Sequence, residues 1–364
     1  MSTFVINASN LKQGGGIQVA QSVCGELHKY CQHQFVVVAS STLDLSHVQH
    51  TENVQVITYD MPLKVTTLLF GRDKFLDGIV TNKNINVVLT VFGPSIWRPR
   101  VPHLCGFARA QLLLKVKGYR VSLKERLMHA IWKWAFRNSS DTFYTENAYI
   151  SDMLPKLIKG AKVYTVTNYY NQVYDQPERW KRSVALPLFN GVTCLSVSNH
   201  YIHKNFEIMI ESARYLKASH PDFKFRFVLT FDAAEMPVPE DVREHFLFIG
   251  KVDVSECPYL YEQADIMFMP TLMECFTATY PEAMRMEVPI VTTDLEFARG
   301  LCGDAACYYS ALDAKAAAEA IYKVATDEPY RNKLVENGKK QLLTYDNYEQ
   351  RAEKLVGLLE EMTV

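Results

Sequence analysis

Short apolar runs alternate with longer stretches of helical periodicity along most of this chain. Thr3-Phe-Val-Ile-Asn7, Gln34-Phe-Val-Val-Val-Ala39, Val54-Gln-Val-Ile-Thr58 and Asn86-Val-Val-Leu-Thr-Val91 are β-rich segments. The pattern restarts at Thr193-Cys-Leu-Ser-Val-Ser198 and continues through Phe225-Arg-Phe-Val-Leu-Thr-Phe231, Phe246-Leu-Phe-Ile-Gly250 and Ile266-Met-Phe-Met-Pro270. Helical patterns fall between them: from the glycines at 14–16 towards Tyr30, from Arg72 to Thr81, from Asn205 to Leu216, from Tyr280 onward, and through the tail from Asp313 to Val364. Wholly apolar runs are strands buried on both faces, and their alternation with helices predicts parallel sheets covered on both sides. The expected class is α/β.

One stretch combines this pattern with chemistry: Pro270-Thr-Leu-Met-Glu-Cys-Phe-Thr-Ala-Thr-Tyr-Pro-Glu-Ala-Met284. A buried strand leads in, and a helix follows in which Pro281 is tolerated because it lies in the first turn. The backbone N–H groups of Phe276, Thr277, Ala278 and Thr279 then face outward at a helix start, which favours an anion. Glu274 in the loop and Glu282 in the first turn can accept hydrogen bonds from hydroxyls of whatever carries that anion. A phosphate held beside a polyol describes a nucleotide sugar.

The first strand runs into Lys12-Gln-Gly-Gly-Gly-Ile-Gln-Val-Ala20, a glycine turn opening a helix. A dinucleotide fingerprint fails there because Val19 takes the third glycine position. Consecutive glycines let a ligand approach backbone closely, and they equally make a plain strand-to-helix turn.

Length and composition narrow the picture. At 364 residues the chain exceeds one usual core, so two domains are expected. Apolar runs fall short of a membrane span, the first residues lack a basic leader, and eight scattered cysteines without a metal-like spacing suit a reducing cytosol. The net charge of −1 hides an asymmetry: residues 1–190 hold 22 Lys and Arg against 12 Asp and Glu, the remainder 17 against 28. The basic half is expected to meet an anionic acceptor or an anionic membrane surface. Its most basic segment carries Arg109, Lys115, Lys117, Arg120, Lys124, Arg126, Lys133 and Arg137 against one acid, Glu125. Within it Leu123, Leu127, Ile131 and Trp134 recur at helical spacing, a stripe suited either to the domain's own core or to a membrane surface.

Glu274-x7-Glu282, with Tyr259-Leu-Tyr-Glu-Gln-Ala-Asp-Ile-Met-Phe-Met-Pro-Thr before it and Val288-Pro-Ile-Val-Thr-Thr-Asp294 after it, resembles the signature of retaining GT-B-fold glycosyltransferases of the family-four type, the bacterial surface-polysaccharide type. Cys275 and Glu287 stand where that family often has glycines. The resemblance implies two Rossmann-like α/β/α domains facing a central cleft: an acceptor-side domain over 1–185, a nucleotide-sugar domain over 186–345, and a last helix over 346–364 packing back on the first domain. It implies that Lys204 grips the donor diphosphate, or is a plain surface lysine; Asn199 takes the place of the family's usual arginine. It places Gly15 and Gly16 at the donor's phosphate and sugar, Val252 at the base, Glu274 at the sugar hydroxyls and Glu282 at the ribose. His103 stands near the loop where many members hold a histidine by the reacting sugar, or is a core histidine; Arg109 joins it as an acceptor-side candidate. The implied activity is transfer of a hexose-type sugar from a nucleotide sugar to a hydroxyl of a glycan or lipid-linked saccharide, with no metal or other cofactor and no nucleic acid. A sugar-nucleotide epimerase of the same architecture and a non-catalytic partner subunit of a transferase are the alternatives.

Overall fold

The computed structural model describes residues 1–363 apart from Gln13, His47, Gln49, His50 and Arg120. Arg120 of the basic segment therefore lies outside the described residues. The chain divides into two compact units: residues 1–115, 119–168 and 346–364 form the first, and residues 116–118 and 169–345 the second.

The first unit is built on seven strands: β1 (Thr3–Ala8), β2 (Gln34–Ala39), β3 (Val54–Thr58), β4 (Val87–Thr90), β5 (His103–Gly106), β6 (Thr142–Thr145) and β7 (Lys162–Thr165). They lie in the order β3-β2-β1-β4-β5-β6-β7, every pair parallel. β1 is an interior strand, Phe4 pairing with Phe35 on one side and Val87 on the other. Because side chains alternate along a strand, its apolar run feeds two cores. Phe4, Ile6 and Ala8 join one; Val5 joins the other with Val36, Val38, Leu76, Ile79, Val88 and Trp97. The first core is closed by Leu355, Val356, Leu358 and Leu359 from the helix Tyr348–Glu361. That helix starts at Asn347, whose side chain accepts from Gln350 N at 2.9 Å while Gln350 Oε1 accepts from Asn347 N at 3.1 Å.

The second unit carries β8 (Val192–Ser196), β9 (Phe225–Leu229), β10 (Phe246–Phe248), β11 (Ile266–Met269), β12 (Ile290–Thr293) and β13 (Ala306–Tyr309) in the order β10-β9-β8-β11-β12-β13. All neighbours are again parallel. This is the doubly wound order whose direction reverses between β8 and β11.

Three boundaries differ from the sequence expectation. The first unit stops at Asn168, not at 185. Residues 169–185 are held by the second unit: Tyr174 packs on Tyr261, Lys181 N–H donates to Ser255 O at 2.9 Å, and Arg285 Nε meets Asp175 Oδ1 at 2.7 Å. The tail is not one continuous helical stretch. It breaks into Ala314–Thr326, Glu328–Leu342 and Tyr348–Glu361, the first break falling at Asp327, which caps the next helix by accepting from Tyr330 N at 3.0 Å. The third concerns Arg72–Thr81, which begins instead at Lys74, where Asp73 accepts from Phe75 N and Leu76 N at 3.1 Å.

Leu359 is fully buried in the first core. Leu359→Ala is expected to destabilise the first unit by about 2–5 kcal/mol, read as a lowered urea midpoint; an unshifted transition would mean that the last helix contributes nothing to that core.

Candidate functional site

The reversal point between β8 and β11 is where an open parallel sheet binds ligands, beyond the carboxyl ends of the strands. Two segments leave the sheet there. From β8 the chain reaches a short turn, Ile202–Lys204, closed by Asn205 in the left-handed conformation (φ 55°). From β11 it passes through Pro270 and Thr271 to Glu274. Leu272 N–H donates to His203 O at 2.8 Å, which stitches the two segments together.

Lys204 Nζ lies 2.6 Å from Glu274 Oε1, and each side chain is only about one-tenth exposed. Thr271 Oγ1 donates to the same carboxylate oxygen at 2.8 Å. Thr271 is fixed in turn: its carbonyl accepts from Thr293 Oγ1 at 2.7 Å, at the end of β12. One residue earlier in β12, Thr292 Oγ1 donates to Met269 O at 2.8 Å and shares a 2.7 Å hydrogen bond with Tyr280 OH. A lysine and a glutamate distant in sequence are thus locked against each other at one sheet edge. Such a pair can offer a cation to an anionic group and a carboxylate to hydroxyls.

Phe276, Thr277 and Ala278 precede the helix Thr279–Arg285, whose Glu282 N–H donates to Ala278 O at 2.9 Å. The N–H groups of Phe276 to Thr279 therefore come ahead of that first full turn. Thr277 and Thr279 hydroxyls are 2.8 Å apart and buried, and Phe276 packs edge-on to Tyr345. Glu282 is buried in the first helical turn. Tyr261 OH donates to its Oε2 at 3.2 Å, and the buried Tyr174 hydroxyl faces the same carboxyl without forming a well-shaped hydrogen bond. Burial pushes the Glu282 pKa up to about 7, against the opposing pull of these tyrosines. The structure thus groups Lys204, Glu274 and Thr271, and holds Glu282 against Tyr261.

The remaining expected residues fall as follows. Asn199 is exposed just beyond β8. Val252 is half-buried in the loop after β10, behind Gly250 at φ 73°. Gly15 opens the helix Gly15–Glu26 of the first unit, and a Cβ there would meet open space. A Cβ on Gly16 would come within 3.3 Å of Leu11 and Phe92. The glycine that the turn itself requires is Gly14, at φ 80°.

His103 is not in a loop. It opens β5 and is buried, its Nε2 2.8 Å from Thr90 Oγ1 and its Nδ1 2.9 Å from Ser139 O. Burial lowers its pKa to about 4, and with both ring nitrogens engaged it serves the core of the first unit rather than an acceptor. Arg109 is half-buried past β5, its guanidinium 4.5 Å above the Trp132 ring and its Nε without a partner; burial lowers its pKa. Thr271 and Tyr261 went unassigned in the sequence, although Thr271 directly follows the strand-ending Pro270 and Tyr261 stands inside the quoted flank. Among the described residues no group of three or more His, Cys, Asp or Glu could hold a metal ion, and no helix is long and apolar enough to cross a membrane.

Two Rossmann-like units, the second with its polar cluster at the reversal point, define a GT-B fold. Solved structures bear this out over whole chains. Sucrose-phosphate synthase from Thermosynechococcus elongatus matches with TM-score 0.72 and 15% identity, covering 100% of this chain and 99% of its own. Anabaena HepE in complex with UDP and glucose matches at 0.68 and 12%, covering 99% and 100%. WaaG, a glycosyltransferase involved in lipopolysaccharide biosynthesis, matches at 0.66 and 16%, covering 99% of each chain. No curated protein matches. Residues 189–341 match the family described as Glycosyl transferases group 1, so the second unit carries a group 1 glycosyltransferase domain.

Glu282 supplies a test of the buried carboxyl. A carboxyl whose folded pKa is raised from 4.5 to about 7 costs nothing below the unfolded value and destabilises the fold as pH rises through 7. Glu282→Gln is expected to match wild type at pH 4 and to gain about 3 kcal/mol over it by pH 8, measured by denaturant unfolding; a gain independent of pH would place the carboxyl in contact with water.

Proposed function

We propose that this protein is a retaining glycosyltransferase that moves a hexose-type sugar from a nucleotide-sugar donor to a hydroxyl of a glycan or lipid-linked saccharide, in cell-surface polysaccharide synthesis on the cytoplasmic side. The observation that carries the reading is the buried Lys204–Glu274 pair at the sheet's reversal point, inside the group 1 domain. Lys204 and the N–H groups of Phe276, Thr277, Ala278 and Thr279 would meet the negative charge that grows on the departing diphosphate. Such preorganised donors stabilise a transition state without moving. Glu274, steadied by Thr271, would hold the sugar hydroxyls of an oxocarbenium-like transition state. Glu282 would take the ribose and the backbone at Val252 the base. Arg109, a half-buried cation, would serve an anionic acceptor. The acceptor hydroxyl would attack from the leaving-group side and pass its proton to a diphosphate oxygen, a route that asks for no metal.

The pairing already present between Lys204 and Glu274 has a clear use. Each charge satisfies the other in a site that is nearly dry. A donor that carries both a diphosphate and a polyol can replace both contacts at once. A nucleoside diphosphate alone replaces only one.

A screen of UDP-, GDP- and ADP-sugars for thermal stabilisation tests the reading; no shift with any of them removes it. Glu282→Ala is expected to weaken nucleoside diphosphate binding tenfold or more, because a charge-assisted hydrogen bond contributes about 1.5–3 kcal/mol; an unchanged Kd excludes Glu282 from the ribose.

Glu274→Gln is expected to reduce turnover chiefly, leaving nucleoside diphosphate affinity within about threefold of wild type, since its partner is the sugar. Equal losses of nucleotide affinity in the two glutamate variants would contradict this division of roles.

A further inference from the structure

The helix Leu123–Ser139 begins in a capping box: Glu125 N–H donates to Ser122 Oγ at 3.3 Å, and Ser122 N–H donates to Glu125 Oε2 at 2.7 Å. It buries Ala135, Phe136 and Ser139 against the first unit, with Phe136 packed on Phe107 at 4.8 Å between ring centroids. The stripe read from the sequence is not part of that contact. Leu123 is 82% exposed, Leu127 64%, Trp134 39% and Ile131 37%. At 3.6 residues per turn these four lie within about 80° of one another, on a different face from the buried residues. The helix therefore has two apolar faces: one is buried, and the other is open at Leu123 and Leu127 and partly covered at Ile131 and Trp134.

Charge flanks the second face. Arg126 and Arg137 are exposed and Lys133 half-buried along one side; Lys124 is exposed on the other. The helix's one acid, Glu125, is engaged in the cap. Apolar side chains between a row of cations on one side and a lysine on the other match the boundary of a bilayer, where acyl chains receive the first and anionic headgroups the second. Trp134 has the amphipathic ring favoured at that depth. A second copy of the chain fits less well. In a two-fold contact the same patch meets itself, and Arg126, Lys133 and Arg137 would face their own copies with no acid to answer them.

We infer that this face is a membrane-docking surface: Leu123, Leu127, Ile131 and Trp134 enter the headgroup boundary of an anionic bilayer, held there by Lys124, Arg126, Lys133 and Arg137. The inference stands apart from the transfer reading, because it needs no donor. A docked first unit would meet acceptors embedded in, or tethered to, the same bilayer.

The test is vesicle flotation of the full chain on phosphatidylcholine alone and on phosphatidylcholine with about 30% phosphatidylglycerol, an anionic fraction chosen to give a clear surface potential, at low and high salt. Wild type is expected to float with the anionic vesicles at about 0.1 M salt, where screening reaches only about 10 Å, and not with the neutral ones. The triple variant Leu127→Gln, Ile131→Gln, Trp134→Gln is expected to lose about 100-fold in vesicle affinity. The triple variant Lys124→Gln, Arg126→Gln, Lys133→Gln is expected to lose a similar factor, roughly fivefold per charge. Arg137 is left in place because its Nε donates to Leu157 O at 3.0 Å. Wild type failing to float, or either variant floating as wild type does, overturns the inference. So does a wild-type dimer in sedimentation velocity that the apolar variant disperses while no vesicle is bound, which would assign the face to a second copy. The wild-type arms decide the matter even where a variant folds poorly. Nucleotide-sugar binding, followed separately by thermal shift, tells failure of docking from failure of the transfer reading.

Discussion

Parallel pairing in both sheets is the constraint from which the rest of this structure follows. Parallel strands must be joined by crossovers, so helices cover both faces and the strands become almost wholly apolar. β1, β4, β8, β9, β11 and β12 show it, with scarcely an exposed residue among them. All carboxyl ends then lie along one edge of each sheet. At the reversal between β8 and β11, consecutive crossovers turn opposite ways and leave that edge uncovered. Lys204 and Glu274 meet there because the topology brings their loops together.

Near-complete burial also sets the cost of the charges the fold retains. Lys204 and Glu274 satisfy each other, and removing one partner of such a pair costs about 3–5 kcal/mol by stranding the other. Burial pushes the Glu282 carboxyl towards the neutral form, and the Tyr174 and Tyr261 hydroxyls beside it oppose the shift only in part. Glu146 in the first unit is a parallel case. Burial raises its pKa to about 7 even though the buried Arg351 opposes the shift, and Arg351 also donates to Asn168. Both units thus hold a glutamate near its titration point, one beside the candidate site and one under the last helix.

The strands were legible because a doubly buried strand has to be apolar throughout: β1, β2, β9 and β11 are evident from Thr3, Gln34, Phe225 and Ile266 onward. Glu274 was legible as a loop carboxylate ahead of a helix start and Lys204 only through resemblance; spacing alone does not tell that the two side chains touch. His103 was read with two alternatives, and its place at the first position of β5 with both ring nitrogens bonded selects the core histidine. The Leu123–Trp134 stripe was read correctly as an apolar face. Periodicity shows that a face is apolar but not whether anything covers it, and Ala135 and Phe136, not the stripe, make the contact with the core. The segment 169–185, expected with the first domain, belongs to the second unit, where Tyr174 packs on Tyr261.

The first unit is discontinuous: its inner core is completed by Leu355, Val356, Leu358 and Leu359, on the far side of the whole second unit. During translation the ribosome must therefore deliver residues 169–345 before the strands made first can be sealed. At ~5–20 residues per second, that leaves the first core, covered in part by Val19, Ala20 and Val23 of the helix Gly15–Glu26, open where the last helix will sit for on the order of ten seconds or more. Over this interval the second unit, whose residues are contiguous but for 116–118, can fold first although its strands are made last. The order of synthesis and the order of completion can then be opposite for the two units.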